Sequence, residues 1–426
     1  MQKEILKNEV YLFVGPLEFK ILKGKLEAVG CILQHKTHIQ LLHTIPAGKS
    51  IPFECHKDSI IQIQSGDINN IKPLEKSTIP VQWDKLVARI KDKNLKRIIV
   101  LGEMDTGKSF FITYLANKLI QLKRKVGVID SDLGQSDVGP PGTIAFTVLK
   151  EPILLLSDAA ITGMEFVGSH SPGLHMVPTL VQFSKIMNQC LKMCDIMLVN
   201  TSGWVLGDGG RLLSRSKIDI LDPDIIVLMQ KEDECEHLVK TVFSKDMLIR
   251  LRASRKVLDT SKGDREKLRN LSSQKYFQNS KEMTLPLDKI ETDKCFFKTG
   301  KSINDIASFT DKNILFAEKY PVFEGVLIIT DEKMEQKEIE LLNKNGYYNI
   351  RNLLPGFSDG ALVGLRNKNN ELLDLGIIKN IDFLKKKICI NTPFKGKQSD
   401  IRIIQFGSLK YRGNGTENGF FEPGSF

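Results

Sequence analysis

Residues 102–109, GEMDTGKS, decide the fold. The stretch fits G-x-x-x-x-G-K-[ST] at every fixed position. It follows an apolar run, KRIIVL, and opens a helical stretch, SFFITYLANKLIQLKRK. In that stretch Phe111, Ile112, Leu115, Leu119 and Leu122 recur at helical spacing. Strand, glycine-rich loop and helix in this order identify a phosphate-binding P-loop. Glycines let the loop wrap a phosphate, and its backbone N–H groups turn inward. Gly102, Asp105, Thr106, Gly107, Lys108, Ser109 and Phe110 form the expected nucleotide-binding segment. Lys108 is placed to reach the β and γ phosphates, and Ser109 to hold Mg2+.

Working outward, residues 86–300 alternate buried-type strands (RIIVLG, KVGVID, PILLLS, DIMLVN, PDIIVLM) with amphipathic helical stretches. That alternation predicts a mostly parallel sheet covered by helices. Residues 1–85 read as short strands punctuated by Gly and Pro, as in a small β sandwich or barrel. Residues 301–426 return to β-type runs, with one helical piece, EKMEQKEIELLNKNG, and a Gly-rich tail expected to be irregular. The expected architecture is therefore α/β: a central P-loop NTPase domain flanked by an N-terminal small β domain and a C-terminal β-rich domain.

The 426 residues suffice for two or three domains. The net charge of +10 suits a polyanionic partner such as nucleic acid, although a solvated surface would look the same. No apolar run is long enough to span a bilayer, and the start, MQKEILKNEV, lacks the apolar core of a signal peptide. No membrane partner and a cytoplasmic location are the expectation. The seven cysteines contain no CxxC pair, which argues against a zinc ribbon or disulfide framework. Cys190 and Cys194 share a helical face with Ile186, Met187 and Leu191 and read as core.

A P-loop leaves three classes open: a GTPase switch, a motor or assembly ATPase, and a kinase. Gln230-Lys231-Glu232-Asp233 is similar to the Asn-Lys-x-Asp guanine clamp. Its first side chain is one methylene too long for a site built on close polar contacts. NTSGW, Asn200 to Trp204, follows the run DIMLV at the end where open α/β sheets bind ligands. There Thr201 and Ser202 can bond a transferring phosphate, and Gly203 permits a tight turn. Trp204 can serve as a stacking platform for a base, worth roughly 1–3 kcal/mol. PPGT (Pro140 to Thr143) and GSHSPG (Gly168 to Gly173) are turn formers. They offer Thr143, Ser169 and His170 to a substrate phosphate or serve as plain loops.

The series DSDLGQSDVGPPGT, FVGSHSPG, LVNTSGWVLGDG and a basic stretch ending in QKYF resembles the polynucleotide 5′-hydroxyl kinases of RNA processing. That family includes the kinase subunit of the mRNA 3′-end cleavage factor and the kinase of ribosomal RNA maturation. The resemblance covers the central domain. It reaches the N-terminal domain through LKGKLEAVG and IPAGKS, and the C-terminal domain by position only.

The resemblance implies transfer of the γ-phosphate of ATP, with Mg2+, to the 5′-OH of RNA or DNA, and protein partners in RNA processing. It implies that Asp132 orients the 5′-OH and accepts its proton. Asp130 would serve the metal's surroundings, and Gln135 would bond a phosphate, water or the acceptor. It further implies a lid with the pattern Arg-Ser-x-x-x-Arg. Here that pattern falls on Thr260 to Arg265, so Arg265 is present and the first arginine is replaced by Thr260. Lys262, Arg255 and Arg252 are the candidates to compensate. An ATP-binding scaffold with little turnover and an assembly ATPase remain the alternatives.

Overall fold

The computed structural model describes residues 1–35, 41–242, 244–253, 261–320, 325–422 and 425. The chain forms two compact units. The first comprises Met1–Gly139, Ile144–Glu165 and Met176–Leu268; the second comprises Pro140–Thr143, Phe166–His175 and Arg269–Phe426.

The first unit is organised by a seven-stranded sheet. Its order is Gly163–Phe166, Thr143–Leu149, Val126–Ser131, Ile196–Thr201, Arg97–Leu101, Ile225–Gln230, Leu248–Arg252. The last five run parallel. Val126–Ser131, Ile196–Thr201 and Ile225–Gln230 are buried at every residue, as expected of strands covered on both faces. Helices Lys108–Gln121, Met176–Leu191 and Gly207–Leu221 pack on these strands.

From Arg97–Leu101 the chain crosses to Val126–Ser131, two places away on one side. From Ile196–Thr201 it crosses back to Ile225–Gln230 on the other side. The strand order reverses at Arg97–Leu101, which opens a crevice at its carboxyl end. The P-loop leaves the sheet there.

The same unit carries a second sheet, ordered Cys31–Gln34, Leu17–Ala28, Ser50–Ser65, Val10–Val14, Ile71–Leu74. Gln2–Ile5 and His43–Ile45 pair at its sides. Two of its strands have 12 and 16 residues, longer than the short runs suggest. Phe13, Phe19 and Phe53 form its centre, with ring centroids 4.3–5.6 Å apart.

The P-loop helix docks on this sheet through a polar face. Fully buried Asn117 donates to the carbonyls of Val29 and Ile153, each at 2.8 Å, and accepts from the Ile153 N–H at 2.9 Å. Lys118 pairs with Glu27 at 2.7 Å, and Gln121 donates to the Gly30 carbonyl at 2.6 Å.

The second unit holds a sheet of Lys281–Pro286, Lys387–Thr392, Leu372–Asp382, Ala361–Arg366, Ile403–Tyr411 and Glu291–Asp293. A four-stranded sheet with helix Gln336–Lys344 completes it. Phe297 sits amid Phe316, Phe357 and Phe383. The helical piece expected near residue 336 is present. The tail is not wholly irregular, because Glu417–Phe420 pairs with Ile403–Tyr411.

One expected strand is absent. PILLLS forms no strand, and Leu156–Asp158 is a short 3-10 turn. Its apolar residues Ile153, Leu154 and Leu155 still pack on the core. The Ile153 backbone groups are bonded by the Asn117 side chain instead of a neighbouring strand. The strand beside Val126–Ser131 is Thr143–Leu149, and it runs antiparallel. Among the described residues no helix is long and apolar enough to cross a membrane.

Asn117→Ala strands one buried and two partly buried backbone groups, the buried one costing about 1–3 kcal/mol when unpaired. A urea titration should show the unfolding free energy reduced by about 1–3 kcal/mol, with the slope unchanged.

Candidate active site

The P-loop is shaped by what its neighbours forbid. A Cβ on Gly102 would lie 2.2 Å from the Met229 carbonyl oxygen. Gly107 has φ +89°, the left-handed region that favours glycine, and caps the helix Lys108–Gln121. Thr106 braces the loop by donating to the Glu103 carbonyl at 2.9 Å. Lys108 is buried, and its Nζ donates to the carbonyls of Gly102 and Glu103 at 2.9 and 2.6 Å. Burial draws its pKa below the lysine range, while Asp132, Asp105 and Asp130 oppose that pull. Phe110 packs against Trp83, with centroids 6.0 Å apart, and so anchors the first helical turn.

Strand register brings the next groups together. Asn200 lies level with Val100 on one side and with Asp130 on the other. Its amide nitrogen donates to Ser109 Oγ at 3.2 Å and to Asp130 Oδ1 at 3.4 Å. Among the described residues its buried amide oxygen has no hydrogen-bond partner.

Asp130 is fully buried. It accepts from the N–H groups of Asp132, Asp137 and Val138, at 3.2, 2.6 and 3.3 Å. Burial, then the charges of Asp137 and Asp132, push its pKa up to about 7. Lys49, from the N-terminal sheet's IPAGKS turn, pairs with Asp137 at 3.1 Å. That carboxylate raises the lysine's pKa against the pull of burial.

Asp132 is half-buried. Its Oδ1 accepts from the N–H groups of Gly134 and Gln135, both at 3.0 Å, which fixes the carboxylate's orientation. Among the described residues nothing hydrogen-bonds its Oδ2. The Gln135 amide donates to the Gly134 carbonyl at 2.9 Å and to the Arg265 carbonyl at 3.2 Å, tying the acid loop to the helix Lys262–Phe277. From that helix Arg265 Nη1 donates to Met104 Sδ, 3.3 Å away in the P-loop. Arg265 thus reaches the P-loop. Arg252 instead donates to the Lys231 carbonyl, and Arg255 and Thr260 lie outside the described residues.

NTSGW lies against the same loop. A Cβ on Gly203 would meet Met104 Cγ at 2.3 Å and Met104 N at 2.5 Å. Ser202 and Trp204 are half-buried, and the Trp204 indole rests on Gly209 in the next helix. The Thr201 hydroxyl is committed to the Val100 carbonyl at 2.7 Å, so it joins two strands. Thr143 and Ser169 belong to the second unit. There they donate within their own turns, to Pro140 and Ser171 carbonyls at 2.7 and 2.9 Å. His170 pairs with Tyr411 and Glu417 in that unit. Gln230 bonds Glu236 and the Cys235 N–H, so both ends of its amide serve a turn.

The residues missed in the sequence are Asn200 and Lys217. Asn200 stands at the inward end of a strand, one residue before the hydroxyls that drew attention. Lys217 interrupts the buried stripe of the helix Gly207–Leu221, a signal visible in the sequence.

Residues 102–279 match the family model described as the P-loop of mRNA cleavage and polyadenylation factor CLP1. The chain is 30% identical over 355 residues to a polyribonucleotide 5′-hydroxyl-kinase of Pyrococcus abyssi, covering 81% of this chain and 97% of that protein. The chain belongs to this kinase family. A kinase of the same name from Methanocaldococcus jannaschii is 30% identical, over 82% of this chain and 96% of its own length. The fold is that of Clp1p as solved in its complex with Pcf11p, with TM-score 0.68, 12% identity and 96% and 98% of the two chains covered. The protein is a nucleotide-using polynucleotide kinase.

Gly203→Ala and Gly102→Ala each force the P-loop to move. Calorimetric titration with ATP should show affinity lowered about tenfold or more in either variant, since displacements of about 1 Å are costly in such sites.

Proposed function

We propose that the protein transfers the γ-phosphoryl group of ATP to the 5′-hydroxyl of an RNA strand, with Mg2+ as cofactor. The observation that carries this reading is Asp132. One oxygen is pinned by two backbone donors, which leaves the other to receive the acceptor's proton beside a P-loop. A positioned carboxylate so placed suits a general base. Lys108 and Arg265 converge on the P-loop from two elements and supply the charge that phosphoryl transfer needs at the moving group.

The donor set fits Mg2+. Among the described residues no three His, Cys, Asp or Glu side chains converge, so no all-protein metal cage is present. A hydroxyl, a carboxylate and an unpartnered buried amide oxygen lie together instead, an oxygen set suited to a hydrated hard cation. Ser109 and Asp130 would hold the ion, and the Asn200 amide oxygen would accept from one of its waters. When bound, Mg2+ neutralises charge on the β and γ phosphates.

Ser202 and Gly203 face the phosphates across the loop in this reading, and Trp204 offers its indole to the terminal base. The net charge of +10 supports tracking of the phosphate backbone. A protein partner from RNA processing completes the proposal, supported by the Pcf11p segment that accompanies the structural neighbour.

The test is incubation with γ-labelled ATP, Mg2+ and matched 5′-OH oligonucleotides of RNA and DNA. Label should appear on RNA and vanish when EDTA removes the metal. ATP that stays bound and untransferred in the presence of both oligonucleotides would favour a scaffold. Phosphate release without need of a 5′-OH end would favour an assembly ATPase.

Asp132→Asn should keep ATP affinity and lower transfer by roughly 10²- to 10⁴-fold, the range for a lost general base. Asp130→Asn should chiefly raise the Mg2+ concentration needed for half-maximal rate. Reversed phenotypes would overturn these two roles.

A further inference from the structure

The helix Gly207–Leu221 buries Gly210, Leu213, Ser214, Lys217, Ile218 and Leu221. This is an i, i+3, i+4, i+7 stripe with a lysine at its centre. Lys217 is only 1% exposed. Its ammonium donates to Ser131 Oγ at 2.8 Å and to the Ser131 carbonyl at 3.2 Å. It also lies 5.6 Å from the centroid of the Phe183 ring.

Ser131 is the residue between Asp130 and Asp132, and its hydroxyl donates to the Asn200 carbonyl at 2.8 Å. One ammonium therefore grips the residue from which both acids diverge. Burial draws the Lys217 pKa down to about 8, while the charges of Asp132 and then Asp130 hold it up.

Stability does not explain this lysine. A buried cation forfeits several kcal/mol of hydration, and an apolar residue of similar volume in such a place is often neutral or stabilising. What the lysine supplies and a methionine would not is two directed hydrogen bonds and a positive charge behind the catalytic turn.

We propose that Lys217 is a positioning residue for phosphoryl transfer, acting through Ser131 to hold Asp132 in its productive direction. The proposal rests on the reading of Asp132 as the group that receives the 5′-OH proton. In this role Lys217, fully enclosed in the fold, acts on the substrates only through Ser131. It fixes the backbone at Ser131, and so the path by which Asp132 enters the site.

The test uses the full chain with Lys217→Met, Asp132→Asn and the double variant. The readouts are ATP affinity, thermal midpoint, and steady-state transfer from ATP to a 5′-OH RNA oligonucleotide. Lys217→Met should keep ATP affinity, melt no lower than the parent and leave KM for both substrates nearly unchanged. Its kcat should fall roughly 10- to 100-fold, the range for loss of an outer supporting group. In the Asp132→Asn background the same substitution should cost little more, because residues acting as a unit are not additive.

An unchanged kcat, or an equal loss in both backgrounds, overturns the role. If Lys217→Met melts early, Ser131→Ala carries the test. It removes one of the two bonds, and an unchanged kcat in that variant is equally fatal. Failure of the parent protein to label any 5′-OH end would overturn the kinase reading itself. A parent that labels RNA beside a fully active Lys217→Met would overturn only the role of Lys217.

Discussion

The register between three parallel strands governs the site. Asn200 stands opposite Asp130 on one neighbour and Val100 on the other, and Thr201 stands opposite Ser131. A slip of one residue would turn every side chain to the opposite face of the sheet. Asn200 would then no longer meet both Ser109 and Asp130. The strand ends carry their own locks against such a slip. Thr201 Oγ1 is bonded to the Val100 carbonyl and Ser131 Oγ to the Asn200 carbonyl. The hydroxyls at the edge of the crevice are therefore partly structural.

The charges are arranged around that register. Asp130, Asp132 and Asp137 leave one strand end within eight residues, and their mutual repulsion adds to the cost of burial. Three lysines answer them from three separate elements: Lys49 from the N-terminal sheet, Lys108 from the P-loop helix and Lys217 from the helix after NTSGW. Each feels the charge of Asp130. Backbone N–H groups hold Asp130 and Asp132, and Lys49 pairs with Asp137.

What the sequence made legible is local. The P-loop could be read because strand, loop and helix are contiguous. The resemblance gave the two acids of DSDLGQ different roles, and Asp132 and Asp130 do differ in burial and bonding. Asn200 and Asn117 were hidden because their partners lie 36–91 residues away, and although Lys217 stands out in its stripe, its partner Ser131 is 86 residues away. PILLLS misled because apolar content marks burial without specifying how the backbone is bonded, and Asn117 supplies those bonds. Thr201 was read as a phosphate contact from its hydroxyl and its place after a strand, and Gln135 as a substrate contact from the family resemblance. Their neighbours, Val100 and the Arg265 carbonyl, show what else a hydroxyl and an amide can do there.

The polar face of the P-loop helix bears on modularity. Asn117, Lys118 and Gln121 spend their polar groups on Val29, Glu27 and Gly30. A fragment cut after the N-terminal sheet would leave a buried amide, an ammonium and a second amide facing solvent from the helix that positions Lys108. Grafting a different N-terminal module would require it to present a carbonyl, a carboxylate and another carbonyl at the same spacing. The nucleotide-binding core is thus not a portable cassette. Its boundary runs through the N-terminal sheet, and recombination of domains in such a chain is constrained at that seam.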